Sequence, residues 1–423
     1  MRVLILSWEY PPVVVGGLGR HVHALATELA AAGHDVAVLS RHPAGTDAAT
    51  HPTADAVVDG VRVVHVAEDP PHLEFGERDL VAWTLAMGHA LVRAALTRLG
   101  SWRPDVVHAH DWLVAHPAIT LADALGVPLV ATVHATEAGR HSGWLSHPLN
   151  RQIHSVEWWL AQRADALVTC SAAMRAEVAE LFDIPLDTDP GSITVIHNGI
   201  APRAWHVPAR RISTARLRWR THGPLLLHFG RLEYEKGCQD LIAALPRIRR
   251  RHPGTRLVVA GTGSQLPLLE ELARERRVRR SVAFVGHLPD DDLAALLRVV
   301  DAVVLPSRYE PFGIVALEAA AAGAPLVAST AGGLGEVVRD GETGTSFAPG
   351  DVAGLARAVA TVLDDPRAAR RRAVAARERL AVDFDWTRIA AATAQVYAAA
   401  RAGGPRELER PKIPTGNAFG APR

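Results

Sequence analysis

The chain has 423 residues and a formal net charge of +1, with 48% hydrophobic and 22% charged residues. This composition excludes a disordered protein, and the length predicts two domains of roughly 200 residues each. Two cysteines exclude a disulfide framework and favour a reducing compartment. No segment approaches the roughly 20 uninterrupted apolar residues of a membrane helix, and the N-terminal apolar run is too short for a signal peptide. We therefore expect a soluble cytoplasmic protein without stable membrane association.

The two halves of the chain differ in charge. Residues 1–200 carry 12 Lys and Arg against 22 Asp and Glu, whereas the remainder carries 34 against 23. The Arg-rich segment 370–379 is explained by a solvated helix face; alternatively, the basic half attracts an anion such as a nucleotide diphosphate. Nothing resembles a nucleic-acid-binding arm, so no nucleic-acid partner is expected.

In the first half, short apolar runs alternate with amphipathic helical patterns, which is typical of βαβ units. Strands are predicted at 3–6, 36–39, 61–66, 106–109, 129–133, 166–169 and 193–196. Helices with apolar residues three and four positions apart are predicted at 19–32, 78–99, 149–163 and 172–182. A poorly periodic stretch from Asn198 to about residue 222 marks the domain boundary.

The same alternation restarts in the second half. Strands are predicted at 225–229, 256–260, 282–285, 302–305 and 326–328, each followed by a helix. The pattern predicts an α/β protein of two Rossmann-like doubly wound domains, residues 1–205 and 206–384, that face a deep cleft. Ligands bind beyond the carboxyl ends of such strands. A terminal helix within 385–402 is expected to cross back to the first domain, and residues 403–423 are expected to be disordered.

Residues 310–318 follow a predicted strand and open an Ala-rich helix. The helix N-terminus at Gly313, Ile314 and Val315 offers free N–H groups and a positive dipole end, which suit an anion. Gly313 also allows a ligand to come close to the backbone. The carboxylates of Glu310 and Glu318 can accept hydrogen bonds from sugar and ribose hydroxyls. Alternatively, they are a capping Glu and an ordinary helical Glu.

Two cations, Arg231 and Lys236, lie between glycines at a predicted strand-to-helix turn. This spacing predicts a clamp on a pyrophosphate, in which Arg binds two oxygens and Lys acts as a point charge. The alternative is a surface ion-pair cluster with Glu233 and Glu235.

A glycine loop with Gly16 and Gly17 separates the first predicted strand from the first helix. As a dinucleotide fingerprint it lacks the third glycine, and it lies about nine residues after the strand. A loop whose N–H groups reach across the cleft to a phosphate fits better.

Together these motifs resemble those of glycosyltransferase family 4. The residues that carry the resemblance are Gly16-Gly17-Leu18, the Arg231 and Lys236 pair, Glu310 with Glu318, and GGLGE at 332–336. The resemblance covers roughly residues 1–402 and is closest to actinobacterial α-1,4-glucosyltransferases of glycogen-synthase type. Four stretches carry this closer likeness: SWEYPPVVVGGLGRH, HAHDWLVAHPAI, HATEAGRHSGW and GRLEYEKG. It implies the GT-B fold, a retaining hexosyl transfer, and no metal or cofactor.

The resemblance also implies roles for single residues. Arg231 and Lys236 would hold the donor diphosphate, Glu310 the sugar hydroxyls and Glu318 the ribose. The N–H groups of Gly313, Ile314 and Val315 would face the sugar and phosphates, with Gly16 and Gly17 approaching from the other domain. His134 would lie beside the anomeric centre, and Asp111 near the sugar.

A retaining transfer can use two carboxylates, as glycosidases do. Because Glu310 and Glu318 both have binding roles here, we expect front-face attack through an oxocarbenium-like ion pair instead. An oxygen of the leaving phosphate then takes the proton of the acceptor, and catalysis rests on positioning and charge stabilisation.

Histidines are concentrated in the first half, and His108 and His110 end a predicted strand. A metal-dependent hydrolase would need further ligands that converge on this pair, and the sequence identifies none. The pair is interpreted as a polar lining of the cleft, and no metal is expected. Trp144, in the loop after His134, is interpreted as an acceptor contact.

The function expected from this resemblance is transfer of glucose from ADP- or UDP-glucose to an α-1,4-glucan or a methylglucose-lipopolysaccharide-type acceptor. The alternatives are another family 4 hexosyltransferase, namely an α-maltose-1-phosphate synthase or a lipid mannosyltransferase, and a nucleotide-sugar epimerase. Enzymes that act on anionic bilayers carry basic surfaces, whereas the first half of this chain is acidic. A soluble acceptor is therefore favoured.

Overall fold

The computed structural model of the chain describes residues 1–14, 16–42, 53–67, 73, 75–186, 193–220 and 222–404. The predicted disordered tail lies outside the described residues from 405 onward.

The first half folds around an eight-stranded sheet. Its strands are β1 (Arg2–Leu6), β2 (Asp35–Arg41), β3 (Ala54–Val58), β4 (Val61–Val66), β5 (Val106–His110), β6 (Leu129–Val133), β7 (Ala166–Thr169) and β8 (Ile193–Val195). Its helices are α1 (Gly17–Ala31), α2 (Leu80–Arg98), α3 (Ala115–Leu125), α4 (Glu137–Arg140), α5 (Pro148–Arg163) and α6 (Ala172–Leu181). The strands are parallel except for the β3–β4 hairpin.

The second half begins with α7 (Ala209–Trp219) and folds around a six-stranded parallel sheet. The sheet contains β9 (Leu225–Phe229), β10 (Arg256–Ala260), β11 (Val282–Gly286), β12 (Ala302–Leu305), β13 (Leu326–Ser329) and β14 (Thr345–Phe347). The helices are α8 (Cys238–Arg251), α9 (Leu266–Glu275), α10 (Asp290–Leu297), α11 (Ile314–Ala322), α12 (Leu334–Val337), α13 (Val352–Asp364), α14 (Pro366–Asp383) and α15 (Trp386–Gly403).

Both sheets are doubly wound, which confirms the predicted fold class. The strand order is β3-β4-β2-β1-β5-β6-β7-β8 in the first and β11-β10-β9-β12-β13-β14 in the second. The direction of winding reverses between β1 and β5, and between β9 and β12. In open α/β sheets these reversals create the crevices in which ligands bind.

The terminal helix α15 packs against α1 and β6 of the first domain. Trp386, Ile389 and Tyr397 of α15 are buried in the same apolar cluster as Val3 and Ile5 of β1. The end of the chain therefore contributes to the core of the domain where the chain begins.

Several elements were not predicted from the sequence, among them β3, β14 and α7. The sequence pattern does not reveal the edge strands β3 and β14, because β3 is fully exposed along its length and β14 has only three residues. The helix α7 lies in the stretch that was expected to be irregular. It is polar on nearly every face and buries only Ala215, so apolar periodicity could not reveal it.

The helix α2 is long and apolar enough to cross a membrane by length and composition alone, with 44% of its most apolar window buried. It packs against β2, β4 and α3. It was not predicted from the sequence as a membrane helix, because that prediction required an uninterrupted run of apolar residues.

Candidate active site

The carboxyl ends of the two sheets face each other across the cleft, and the loops that follow them carry the predicted site residues. From the first domain come Gly16 and Gly17 after β1, Asp111 after β5 and His134 after β6. From the second come the loops after β9 and β12, which carry Arg231, Lys236 and Glu310. All of these loops lie at or beside the two reversals of winding.

The N-terminus of α1 lies against the N-terminus of α11. A Cβ atom added at Gly17 would come within 2.7 Å of Ile314 Cδ1, so a side chain at Gly17 would have to displace Ile314. Gly313 precedes α11 with a φ of 106°, which glycine adopts readily and other residues rarely do. Among the described residues, the N–H groups of Gly313, Ile314 and Val315 have no hydrogen-bond acceptor. Three donors without an acceptor therefore lie at a helix N-terminus that contacts Gly17 of the first domain.

Lys236 and Glu310 form an ion pair in the second domain. Lys236 Nζ lies 2.9 Å from Glu310 Oε2, and the Ser307 hydroxyl donates to the same oxygen at 3.1 Å. The side chains are only 17% and 10% exposed. Gly237 permits this approach, because a Cβ there would lie 1.9 Å from Pro306 O. Both contacts use Oε2, so Glu310 Oε1 remains without a partner among the described residues.

Arg231 is more exposed than Lys236. Its guanidinium lies 3.2 Å from Glu235 Oε1, with about half of the side chain exposed. Glu233 instead accepts a hydrogen bond from Ser264 N. The two predicted clamp cations are therefore paired with different carboxylates, in line with the surface ion-pair alternative for Arg231 but not for the buried Lys236.

Glu318 pairs with a residue that sequence analysis did not single out. Arg20 of α1 donates to Glu318 Oε1 at 3.0 Å and to Asp290 Oδ1 at 3.0 Å. Glu318 is 9% exposed, whereas Arg20 is 46% exposed. Burial raises the pKa of Glu318 to about 7; Arg20 opposes this shift and Asp290 adds to it. The carboxylate predicted to bind ribose is thus held by a cation from the opposite domain.

Asp111 and His134 are joined through the backbone. Asp111 has a φ of 63°, a region that costs a non-glycine residue free energy and is held by its surroundings. Its Oδ1 accepts from the His134 N–H at 2.7 Å, and its own N–H donates to Thr132 O at 3.0 Å. Burial raises the pKa of Asp111 to about 6, against the hydrogen bond from His134.

The histidines lie beneath the cleft in a cluster. His108 is fully buried and contacts the Tyr397 and Thr132 hydroxyls, each at 2.7 Å. His110 is also fully buried, and its Nδ1 lies 3.0 Å from His134 Nε2. The interpretation of His108 and His110 as a polar cleft lining is wrong, because α15 and the neighbouring strands cover them. His134 alone of these three is partly exposed.

The same cluster brings in His21 of α1, which the sequence did not connect with the other histidines. Its ring lies 4.7 Å from the His134 ring and 5.3 Å from Trp386, between ring centroids. Burial lowers the pKa of His134 to about 4 and lowers the pKa of His21 and His110 well below the usual range. All three rings are therefore neutral at pH 7.

Further contacts hold the two domains together. The Ser171 hydroxyl donates to Pro311 O at 2.7 Å, and the Tyr309 hydroxyl donates to Glu177 at 2.9 Å. Glu336 accepts from the N–H groups of Ala172 and Ala173 at the N-terminus of α6, where the helix dipole favours a carboxylate. Glu336 was noted only as part of a motif. No local pattern indicates a partner in the other domain.

Two further residues belong to the first domain. Glu157 of α5 is buried, accepts twice from the Glu137 N–H, and has its pKa raised to about 9 by burial. It was not predicted, since it lies among apolar residues of a helix. Trp144 is 74% exposed, which leaves its ring open to solvent.

Solved structures share this architecture over nearly the whole chain. Sucrose-phosphate synthase from Thermosynechococcus elongatus matches with a TM-score of 0.80 at 24% identity, over 95% of this chain and 100% of that one. The catalytic domain of starch synthase IV from Arabidopsis thaliana, bound to ADP and acarbose, matches with a TM-score of 0.73 at 19% identity, over 95% and 99%. The chain therefore has the GT-B fold.

The chain belongs to glycosyltransferase family 4. The model described as Glycosyltransferase Family 4 matches residues 15–203, and Glycosyl transferases group 1 matches residues 210–379. A glycogen synthase of Mycobacterium tuberculosis is 61% identical over 420 residues, 98% of each chain. An alpha-maltose-1-phosphate synthase of Mycolicibacterium smegmatis is 32% identical, over 94% of this chain and 99% of the relative. The resemblance noted in the sequence is confirmed.

Proposed function

We propose that this protein is a retaining α-glucosyltransferase that moves glucose from ADP- or UDP-glucose to the non-reducing end of an α-1,4-glucan or methylglucose-lipopolysaccharide-type acceptor. The observation that carries the proposal is the buried Lys236–Glu310 pair beside the free N–H groups of α11. Cation, carboxylate and helix N-terminus together suit a sugar joined to a diphosphate. The 61% identity to a glycogen synthase supports glucose as the transferred sugar and a glucan as the acceptor.

In this proposal the second domain holds the donor. Arg231 leaves Glu235 to join Lys236 on the diphosphate, and the N–H groups of Gly313, Ile314 and Val315 face the phosphates and sugar. Glu310 accepts from sugar hydroxyls through Oε1. Glu318 accepts from the ribose, which requires Arg20 to yield part of its contact. This exchange couples donor binding to the contact between the domains.

The first domain supplies the groups around the anomeric carbon. Gly16 and Gly17 bring the start of α1 close to the donor, and Asp111 fixes the backbone of His134. The neutral His134 ring does not serve as a cationic acid at pH 7, because its pKa lies near 4. The leaving phosphate therefore takes the acceptor proton in a front-face reaction, and no metal is required for the charge that Lys236 and Arg231 stabilise.

Other family 4 reactions are the second candidates. A sugar phosphate acceptor would make the enzyme an α-maltose-1-phosphate synthase, like the relative at 32% identity. A lipid acceptor would suit a mannosyltransferase, but the acidic first half of the chain disfavours an anionic bilayer. We propose a soluble enzyme that acts in the cytoplasm without a nucleic-acid partner.

The test is a donor and acceptor panel. ADP-glucose, UDP-glucose and GDP-mannose are each offered with maltooligosaccharides or with α-glucose 1-phosphate, and nucleotide release and products are measured. We expect a glucose donor with a lengthened oligosaccharide. A disaccharide phosphate as the main product selects the second candidate, and mannosyl transfer with strong sedimentation on anionic liposomes rejects the proposal.

A further inference from the structure

Three histidines from separate elements converge beneath the cleft. His21 lies in the second turn of α1, His110 ends β5, and His134 follows β6. One ring nitrogen of each lies within 4.8 Å of the other two. His110 Nδ1 and His134 Nε2 are 3.0 Å apart, close to the roughly 3.3 Å that separates two nitrogens bound to one tetrahedral zinc ion. These three residues are called the histidine cluster below.

The cluster is buried and incompletely hydrogen-bonded. His21 is 6% exposed and His110 is fully buried. His21 Nδ1 and His110 Nε2 have no hydrogen-bond partner among the described residues. Buried polar atoms without a partner are costly, so such atoms call for an explanation.

His108 provides an internal comparison, because it lies on the same strand two residues before His110. Both of its ring nitrogens have partners, the Tyr397 and Thr132 hydroxyls. This is the arrangement expected of a histidine that serves packing alone. His21 and His110 differ from it by keeping a nitrogen unpartnered, although both are buried in the same part of the molecule. Both nitrogens of His108 are accounted for by packing. His21 has Asn198 beside it and His110 Nδ1 faces His134, but each of these two rings keeps one nitrogen without a partner.

The donor atoms of the cluster indicate which ion would fit it. Each of the three residues offers one imidazole nitrogen. Three nitrogen ligands favour the zinc class of divalent ions over magnesium or calcium, which prefer oxygen. His134, a partly exposed residue, offers an ion a path from the cleft.

We propose that the histidine cluster binds one divalent ion of the zinc class, with a fourth position left to water, and that the bound ion inhibits sugar transfer. The inhibition rests on the proposed function, since it requires that the His134 ring lie beside the donor sugar. An ion that draws this ring towards His21 and His110 changes the wall against which the sugar is placed. The binding itself does not depend on that function.

Binding is tested with Co²⁺ as a spectroscopic probe of the full chain. We expect one equivalent of Co²⁺ to give the visible absorption of a four-coordinate ion and Zn²⁺ to displace it. His21→Asn should weaken binding by at least the roughly ten- to hundredfold that loss of an outer-shell partner costs. His23→Asn, on the same helix and outside the cluster, should bind as the wild type does. His110→Gln provides a second variant if His21→Asn does not fold.

The absence of a Co²⁺ spectrum, or equal binding by wild type and both cluster variants, would overturn the site. Inhibition is measured separately as transfer at increasing free Zn²⁺, reversed by a chelator. We expect wild type and His23→Asn to lose activity together and His21→Asn to resist. A wild-type enzyme that carries stoichiometric zinc and keeps full activity contradicts the inhibition while leaving the binding result intact. A chain that is inactive without zinc also contradicts the inhibition, whereas a chain that binds the ion but shows no sugar transfer under any condition contradicts the proposed function.

Discussion

Lys236 is the cation on which the proposed donor site depends most, because its charge is buried beside Glu310. A preorganised charge in a water-excluded site stabilises a leaving group more than an exposed one does. We expect Lys236→Ala to lower kcat by roughly 10²–10³, measured as nucleotide release at saturating donor. Lys236→Arg, which keeps the charge, is the matched control. Wild-type turnover in Lys236→Ala would refute the clamp.

The buried carboxyl of Glu157 should make the stability of the folded chain depend on pH. Its pKa is about 9 in the folded chain against an ordinary value of 4.5, so the unfolded chain releases this proton first. The carboxyl therefore costs stability increasingly as pH rises from about 4.5 to 9. Glu157→Gln, which mimics the neutral acid, should raise the melting temperature relative to wild type more at pH 8.5 than at pH 5. A pH-independent difference would contradict the assignment of a neutral buried acid.

The sequence indicated which residues come together where a motif carries its own geometry. Lys236 and Glu310 lie at fixed places after two strands, and their meeting follows from the fold. Arg20, His21 and Glu157 were missed because their significance arises from partners far away in sequence. A lone Arg, His or Glu on an amphipathic helix carries no signal of that kind.

Among the elements, α1 and α11 meet most closely at the cleft. Gly17→Ala places a Cβ 2.7 Å from Ile314 Cδ1, so Ile314 or the helix must shift. Displacements of about 1 Å near a reacting centre cost up to a hundredfold, and we expect kcat/KM to fall by roughly tenfold or more. Ile314→Val removes the clashing methyl group and should restore part of the loss in the double variant. Gly16→Ala, whose Cβ meets nothing within 4 Å, is the steric control.

The helices and strands could be predicted from the sequence where burial imposes a pattern on their apolar residues. The central parallel strands are continuous apolar runs because both of their faces are covered. The boundaries of β4, β6, β7, β9, β10 and β12 agree with the prediction to the residue. The exposed β3 and the polar α7 give no such pattern, since their positions are set by tertiary contacts.

For the whole molecule, Arg20 connects the two domains through Glu318 and Asp290. Without this cation, the pKa of Glu318 should rise further above 7, and less of the ionised form that accepts from ribose remains at pH 7. We expect Arg20→Ala to raise the donor KM at pH 7 and to recover towards wild type at pH 8.5, where the carboxyl ionises. Arg20→Lys should show a smaller effect. If the donor KM of Arg20→Ala did not change with pH, Glu318 would not take part in donor binding.

The central claim is that the cleft transfers glucose from a nucleotide sugar with retention of configuration. The most direct measurement is proton NMR of the reaction of ADP- or UDP-glucose with maltotriose, which follows the new anomeric proton together with nucleotide release. We expect one new α-1,4 linkage for each nucleotide released. A new β linkage, or nucleotide release that yields only free glucose, would contradict it.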